Sequence, residues 1–157
     1  FIPNFIENRI KFSPYVRNVA VVGANKPVLH AIVCIDFEAI GYWAEQRAIS
    51  YTSYADLSQK PEVRKLVGEV LAHVNKMQPE GLRIRRFVNL HKDFDADDGE
   101  ITRTRKLRRN VIEERYAALI DALYSDAREV TFDAVITYES GEKGVIRRTL
   151  AIEEVPA

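Results

Sequence analysis

The sequence predicts an α+β domain, a small sheet covered by helices, and three observations carry that prediction. Segments of helical and strand periodicity alternate in the order helix, two strands, two helices, strand, helix, then two more strands. Val63, Leu66, Val67, Val70, Leu71, Val74 and Met77 keep the 3, 4, 7 spacing of one long amphipathic helix. Two stretches, residues 16–35 and 130–152, each read as a pair of apolar runs around a turn that contains glycine.

The elements follow from local chemistry. Ile2, Phe5, Ile6 and Ile10 recur at helical spacing, so the chain opens with a short helix that Ser13 and Pro14 stop. Val16 to Val22 and Val28 to Ile35 form a hairpin around the turn from Gly23 to Pro27. Asp36 is placed to cap a helix from Phe37 to Ala48, with Phe37, Ile40 and Ala44 facing inward. Residues 51–57 are a connector with a short helical turn. Pro61 suits a first helical turn, where its missing N–H costs nothing, and Pro79 with Gly81 ends the helix it begins. Ile84 to Leu90 is a strand, His91 to Glu100 a polar loop, and Leu107 to Tyr124 a final helix. The tail alternates from Val130 to Tyr138 and again from Ile146 to Ile152, a second hairpin read as a small accessory sheet with a boundary near Ser125 and Asp126.

Composition narrows the function. The 157 residues suit one domain with a sizeable core, and 46% hydrophobic content argues against disorder. The 23 Lys and Arg against 23 Asp and Glu exclude a whole-chain polycation for nucleic acid. A single cysteine excludes a disulfide scaffold and points to a reducing, cytoplasmic compartment. No apolar run approaches the ~20 residues of a membrane span. The first residues carry neither signal-peptide features nor an initiating Met, so the expectation is a piece of a longer chain. Cys34, inside an apolar run, reads as a core residue. His30, His73 and His91 fall on separate elements without ligand spacing, so no zinc site is expected. The run from Asp93 imitates a calcium loop, but position 6 is Asp98 rather than Gly and position 12 is Thr104 rather than Glu, which leaves a solvated acidic loop.

Charge is distributed unevenly. Residues 93–100 hold five acids and no base, while residues 101–109 hold five bases and no acid. Positive charge at the start of a helix opposes the helix dipole, so a demand such as a phosphate-bearing ligand accounts for it better than solvation does.

At this point the sequence is recognisable. Thr102-Arg-Thr104-Arg-Lys106-Leu-Arg-Arg109 resembles the lysine motif of adenylate-forming enzymes, which in the long-chain acyl-CoA synthetase branch reads Leu-Thr-Pro-Thr-x-Lys-x-x-Arg. Residues 5–16, Val19 to Gly23, residues 54–63, Ile84 to Val88, Asp98-Gly-Glu100 and Glu113 to Tyr116 are similar to the same family in the same order. Arg103 departs from the pattern, standing where the branch has Pro.

The resemblance implies that residues 1–125 are the small C-terminal domain of an AMP-forming acyl-CoA synthetase. Residues 126–157 would be a hairpin extension, as in some bacterial members, and the large N-terminal adenylating domain would lie outside this chain. Such enzymes join a fatty acid to coenzyme A through an acyl-adenylate, using ATP and magnesium bound mainly by the large domain. The isolated fragment would be inactive. Lys106 matches the adenylation lysine. Thr104, Arg105, Arg108 and Arg109 become candidates for contacts to ATP phosphate or coenzyme A, and Gly23 for the coenzyme A face. The arginines could equally form ion pairs with the acidic loop. The implied partners are the enzyme's own large domain and a fatty acid, with no nucleic acid; peripheral membrane association of the full protein stays open. The alternative is a non-catalytic module that holds a polyanion or a partner on its basic 101–109 loop.

Overall fold

The computed structural model describes residues 3–157 apart from 24 and 139, and of 136 and 137 the backbone alone. One mixed sheet of five strands runs through the molecule in the order β1-β2-β3-β5-β4. Its strands are β1 (Val16–Val22), β2 (Leu29–Ile35), β3 (Ile84–Asn89), β4 (Glu129–Thr137) and β5 (Lys143–Glu154). The helices are α1 (Pro3–Ile10), α2 (Phe37–Glu45), α3 (Tyr54–Gln59), α4 (Pro61–Asn75), α5 (Arg109–Arg115) and α6 (Ala117–Leu123).

The central strand β2 explains the layering. Every residue of Leu29–Ile35 is buried, as expected for a strand covered on both faces. Leu29, Ala31, Val33 and Ile35 meet α1 to α4 through Ile10, Ile40, Leu57, Val67 and Leu71. Ile32 and Cys34 face the other way, toward Ile112, Leu119 and Leu123 of α5 and α6. Two separate cores result, one on each side of the sheet. β2 and β3 are parallel, so α2 to α4 form the crossover between them, while β1–β2 and β4–β5 are the antiparallel hairpins foreseen from the sequence.

Several expectations change. The second hairpin does not form an accessory sheet of its own: β5 pairs with β3 through Arg86↔Glu154 and Val88↔Ile152, and Leu150 and Ile152 complete the second core. Arg86 reinforces the junction by donating to the carbonyl oxygens of Leu123, Ser125 and Ala127. The last helix is not continuous. Leu107 is held in a bridge with Ile101, α5 begins only at Arg109, and the backbone turns at Tyr116 (φ −104°, ψ 25°), whose buried hydroxyl is tied to Glu100. Helix α2 is capped by Asp36 but ends at Glu45, short of Ala48. Phe37 is not inward; it is 45% exposed and rests against Tyr51 and Tyr54. Met77 lies beyond the end of α4 and is half exposed, and Phe5 is exposed on α1. Ile2 falls outside the described residues.

Candidate functional site

The segment after β3 builds a braced projection. Phe94 and Ile101 sink into the second core, so the acidic loop is fastened at both ends. Between Ile101 and Leu107, which pair across an antiparallel bridge, the chain makes a tight hairpin. The Thr102 N–H donates to the Lys106 carbonyl oxygen (2.8 Å), and the Lys106 N–H donates back to Thr102 Oγ1 (3.0 Å). Thr102 and Thr104 share a hydroxyl–hydroxyl bond of 3.0 Å. The Arg105 N–H closes the turn on the Thr102 carbonyl oxygen (2.9 Å), with Arg105 in the left-handed region at φ 67°.

Lys106 is therefore fixed by its backbone while its side chain is exposed. No carboxylate lies within ion-pair distance of its ammonium among the described residues. The candidate arginines differ from it and from one another. Arg105 reaches Asp93 at 3.6 Å, among the described residues the one ion pair from this segment to the acidic loop. Arg109 turns away from that loop to Glu7 of α1. Arg108 is exposed, and its backbone N–H donates to the Glu100 carbonyl oxygen (2.9 Å).

The acidic loop is not simply solvated. Glu100 is fully buried and binds the Lys92 ammonium, the Tyr116 hydroxyl, Arg115 (3.3 Å) and the Asp95 N–H (3.1 Å). A carboxylate can be buried at this site because its charge and its lone pairs are both answered. Burial pulls the Lys92 ammonium down, but bonding to Glu100 and Asp98 outweighs that and holds its pKa above the ordinary lysine value. Burial, followed by the Glu100 charge, pushes the Tyr116 hydroxyl far up, so it remains a donor. Asp93 accepts from Asn18 Nδ2 (2.6 Å) and its own neighbour Phe94 N–H (2.8 Å), which ties the loop to β1.

Gly23 is not brought to this cluster. Its φ is +118°, and an added Cβ would come within 2.3 Å of the Tyr124 hydroxyl and 2.6 Å of the Val28 carbonyl oxygen, so glycine is required there by conformation and crowding. Glu7, Lys92, Glu100 and Tyr116 escaped the sequence reading as site residues. The available signal was weak: Glu7 interrupts the apolar face set by Ile6 and Ile10, and Glu100 immediately precedes the apolar Ile101.

Comparisons with known proteins place the fold and the family. The fold is shared with the adenylation domain of a carboxylate reductase from Mycobacterium chelonae (TM-score 0.59, 26% identity, covering 78% of this chain and 18% of that one). A didomain of carboxylic acid reductase from Segniliparus rugosus, solved with AMP, has the same fold at TM-score 0.58 and 20% identity over 78% of this chain and 16% of its own. Both neighbours show the fold that this chain shares. A family model for the AMP-binding enzyme C-terminal domain matches residues 1–128, and the chain belongs to that family. Among curated relatives, a long-chain-fatty-acid–CoA ligase of Mycobacterium tuberculosis is 31% identical over 124 residues, 78% of this chain and 21% of that protein. Long-chain-fatty-acid–CoA ligase 1 of Cavia porcellus is 32% identical over 128 residues, 78% and 18% of the respective chains. The chain thus spans about a fifth of the length of the curated relatives it matches.

Proposed function

We propose that this chain is the mobile C-terminal domain of an ATP-dependent acyl-CoA synthetase acting on a fatty acid, and that Lys106 is its adenylation lysine. The observation that supports the reading is the combination at Lys106: a backbone held by reciprocal bonds to Thr102 and an ammonium with no carboxylate partner among the described residues. A cation held in readiness in this way has its use outside the domain.

The chemistry asks for such a group. In adenylation a fatty-acid carboxylate must approach the α-phosphate of ATP, and both are anions. An ammonium on a flexible stem, delivered to that point by the partner domain's closure, offsets their repulsion and the charge that develops on the phosphate. Magnesium, when bound, would supply charge neutralisation at the triphosphate. Among the described residues no group of three or more His, Cys, Asp and Glu is fit for a metal, and in this reading the large domain would hold the ion with the nucleotide. Rotation of the small domain then withdraws Lys106, and coenzyme A attacks the acyl-adenylate at the reorganised interface. Exposed Arg108 is the better of the arginines for a phosphate or coenzyme A contact. Arg105 and Arg109 brace the loop, and Thr104 acts through Thr102. For Gly23, a role on the coenzyme A face would add to its conformational requirement. The protein would act in the cytoplasm, in keeping with the unpaired Cys34 in its core.

In the full-length enzyme, Lys106→Ala is expected to cut carboxylate-dependent ATP–pyrophosphate exchange by a factor on the order of 10²–10³. Thioester formation from supplied acyl-adenylate should be largely spared. Equal loss in both half-reactions would remove Lys106 from this role. The polyanion-binding alternative is disfavoured by Arg105 and Arg109, whose charges are already answered by Asp93 and Glu7.

A further inference from the structure

We infer that the Glu7–Arg109 ion pair is a positioning latch that fastens the exit of the Lys106 hairpin to helix α1, an inference that rests on the proposed role of Lys106. Glu7 is only 4% exposed, on the face of α1 that also buries Ile6 and Ile10. A buried carboxylate in an apolar setting is costly unless its charge and oxygens are satisfied, and Glu7 satisfies all of them. Its Oε2 accepts from the Val21 N–H (2.7 Å), on the sheet's edge strand, and from Arg109 Nη1 (2.9 Å). Arg109 Nη2 bonds both Glu7 Oε1 and Asn4 Oδ1 (2.9 Å). This is the forked pairing that fixes orientation as well as distance.

The position of the pair in the chain gives it a use. Arg109 lies two residues after Leu107, where the hairpin's bridge closes, and three after Lys106. The incoming strand of the hairpin is held by Glu100 and the outgoing strand by Arg109, so the exposed tip is set from both sides. Helix α1, β1 and the lysine hairpin consequently behave as one rigid unit, joined by residues 102 positions apart. Glu7 and Arg109 touch no substrate; they decide where Lys106 points when the domain closes.

Glu7→Gln and Arg109→Lys in the full-length enzyme test this. Glutamine keeps an oxygen for Val21 but loses the forked ion pair, and lysine keeps the charge without the fork. Three quantities are read: hydrogen exchange of the 101–107 amides, carboxylate-dependent ATP–pyrophosphate exchange, and thioester formation from supplied acyl-adenylate. The expected result for Glu7→Gln is faster amide exchange confined to the hairpin and an adenylation kcat lower by on the order of tenfold. The KM for ATP and thioester formation should be unchanged, and Arg109→Lys should fall between this variant and the unmodified enzyme. Unchanged exchange at 101–107 would overturn the latch, and so would a parallel loss of both half-reactions with exchange rising throughout the domain. The proposed role of Lys106 is separately read from Lys106→Ala: if that variant shows no split between half-reactions, the role fails, whereas local exchange in Glu7→Gln still reports whether the ion pair holds the hairpin.

Discussion

The two late hairpins of this domain are built from opposite materials. The short one, from Ile101 to Leu107, has an exposed tip and is braced at its base by buried charges, Glu100 on one side and the Arg109–Glu7 pair on the other. The long one, β4 with β5, is held by strand pairing to β3 and by Leu150, Ile152 and Phe132 against the second core. Oriented hydrogen bonds fix direction, which suits a loop with the proposed task of presenting Lys106 at one place. Apolar burial is non-directional and gives cover, which suits a strand pair that closes the open side of β3. The difference teaches that the chemistry of an anchor, more than the local turn, separates a presenting hairpin from a covering one.

The comparison can be broken at each anchor. Glu100→Ala should have the largest effect, because it removes the buried carboxylate shared by the Lys92 ammonium, the Tyr116 hydroxyl and Arg115 and leaves Lys92 with Asp98 alone. A loss of about 3–5 kcal/mol is expected in denaturant unfolding. Leu150→Ala attacks the covering hairpin through a cavity, with an expected cost of about 2–4 kcal/mol. It should raise exchange in β4 and β5 and leave the 101–107 amides protected while the domain stays folded. If both hairpins loosen together under Leu150→Ala, the two anchors are not independent.

The smallest effect concerns the seam between the hairpins, where the His91 ring meets Phe132 edge-on at 5.5 Å. Burial first, then the Lys92 and Arg148 charges, lowers the His91 pKa to about 4. The folded pKa lies below the ordinary value, so the unfolded chain binds the proton more readily. The neutral ring's contribution is complete above about pH 6.5 and is lost as pH falls toward 4. At pH 5 the loss from His91 should be about 2 kcal/mol, and His91→Phe should flatten the stability curve between pH 6.5 and 4. A curve with the same slope in the variant would assign the acid sensitivity elsewhere, His30 being the other buried histidine with a lowered pKa.

Much of the fold was legible because it is written in periodicity. The apolar run of β2, the stripe of α4 from Val63 to Val74 and the Asp36 cap are local patterns, and each appeared where the residues placed it. The partner of β5 was not legible, since pairing with β3 joins residues more than sixty positions apart and leaves no mark on either strand's alternation. The interruption at Tyr116 was hidden for a similar reason: Ile112, Tyr116, Leu119 and Leu123 do share a face, and the turn depends on a bond from Tyr116 to Glu100. At the site, the motif around Lys106 could be read directly, but its supports could not. Glu7 and Glu100 look like surface acids in the sequence, and only the fold shows that each is enclosed by cations and donors.

Arg103 stands at a point where the turn has other supports. The lysine motif that the sequence resembles has a proline at that point, a residue that stiffens a turn by restricting φ. Here the turn is already closed by four bonds to Thr102, and both of its ends are fastened below. Rigidity supplied from the base makes the tip a place where substitutions can accumulate at little cost. The supports whose removal should cost the tip most are two carboxylates, Glu7 and Glu100, that lie outside the lysine motif.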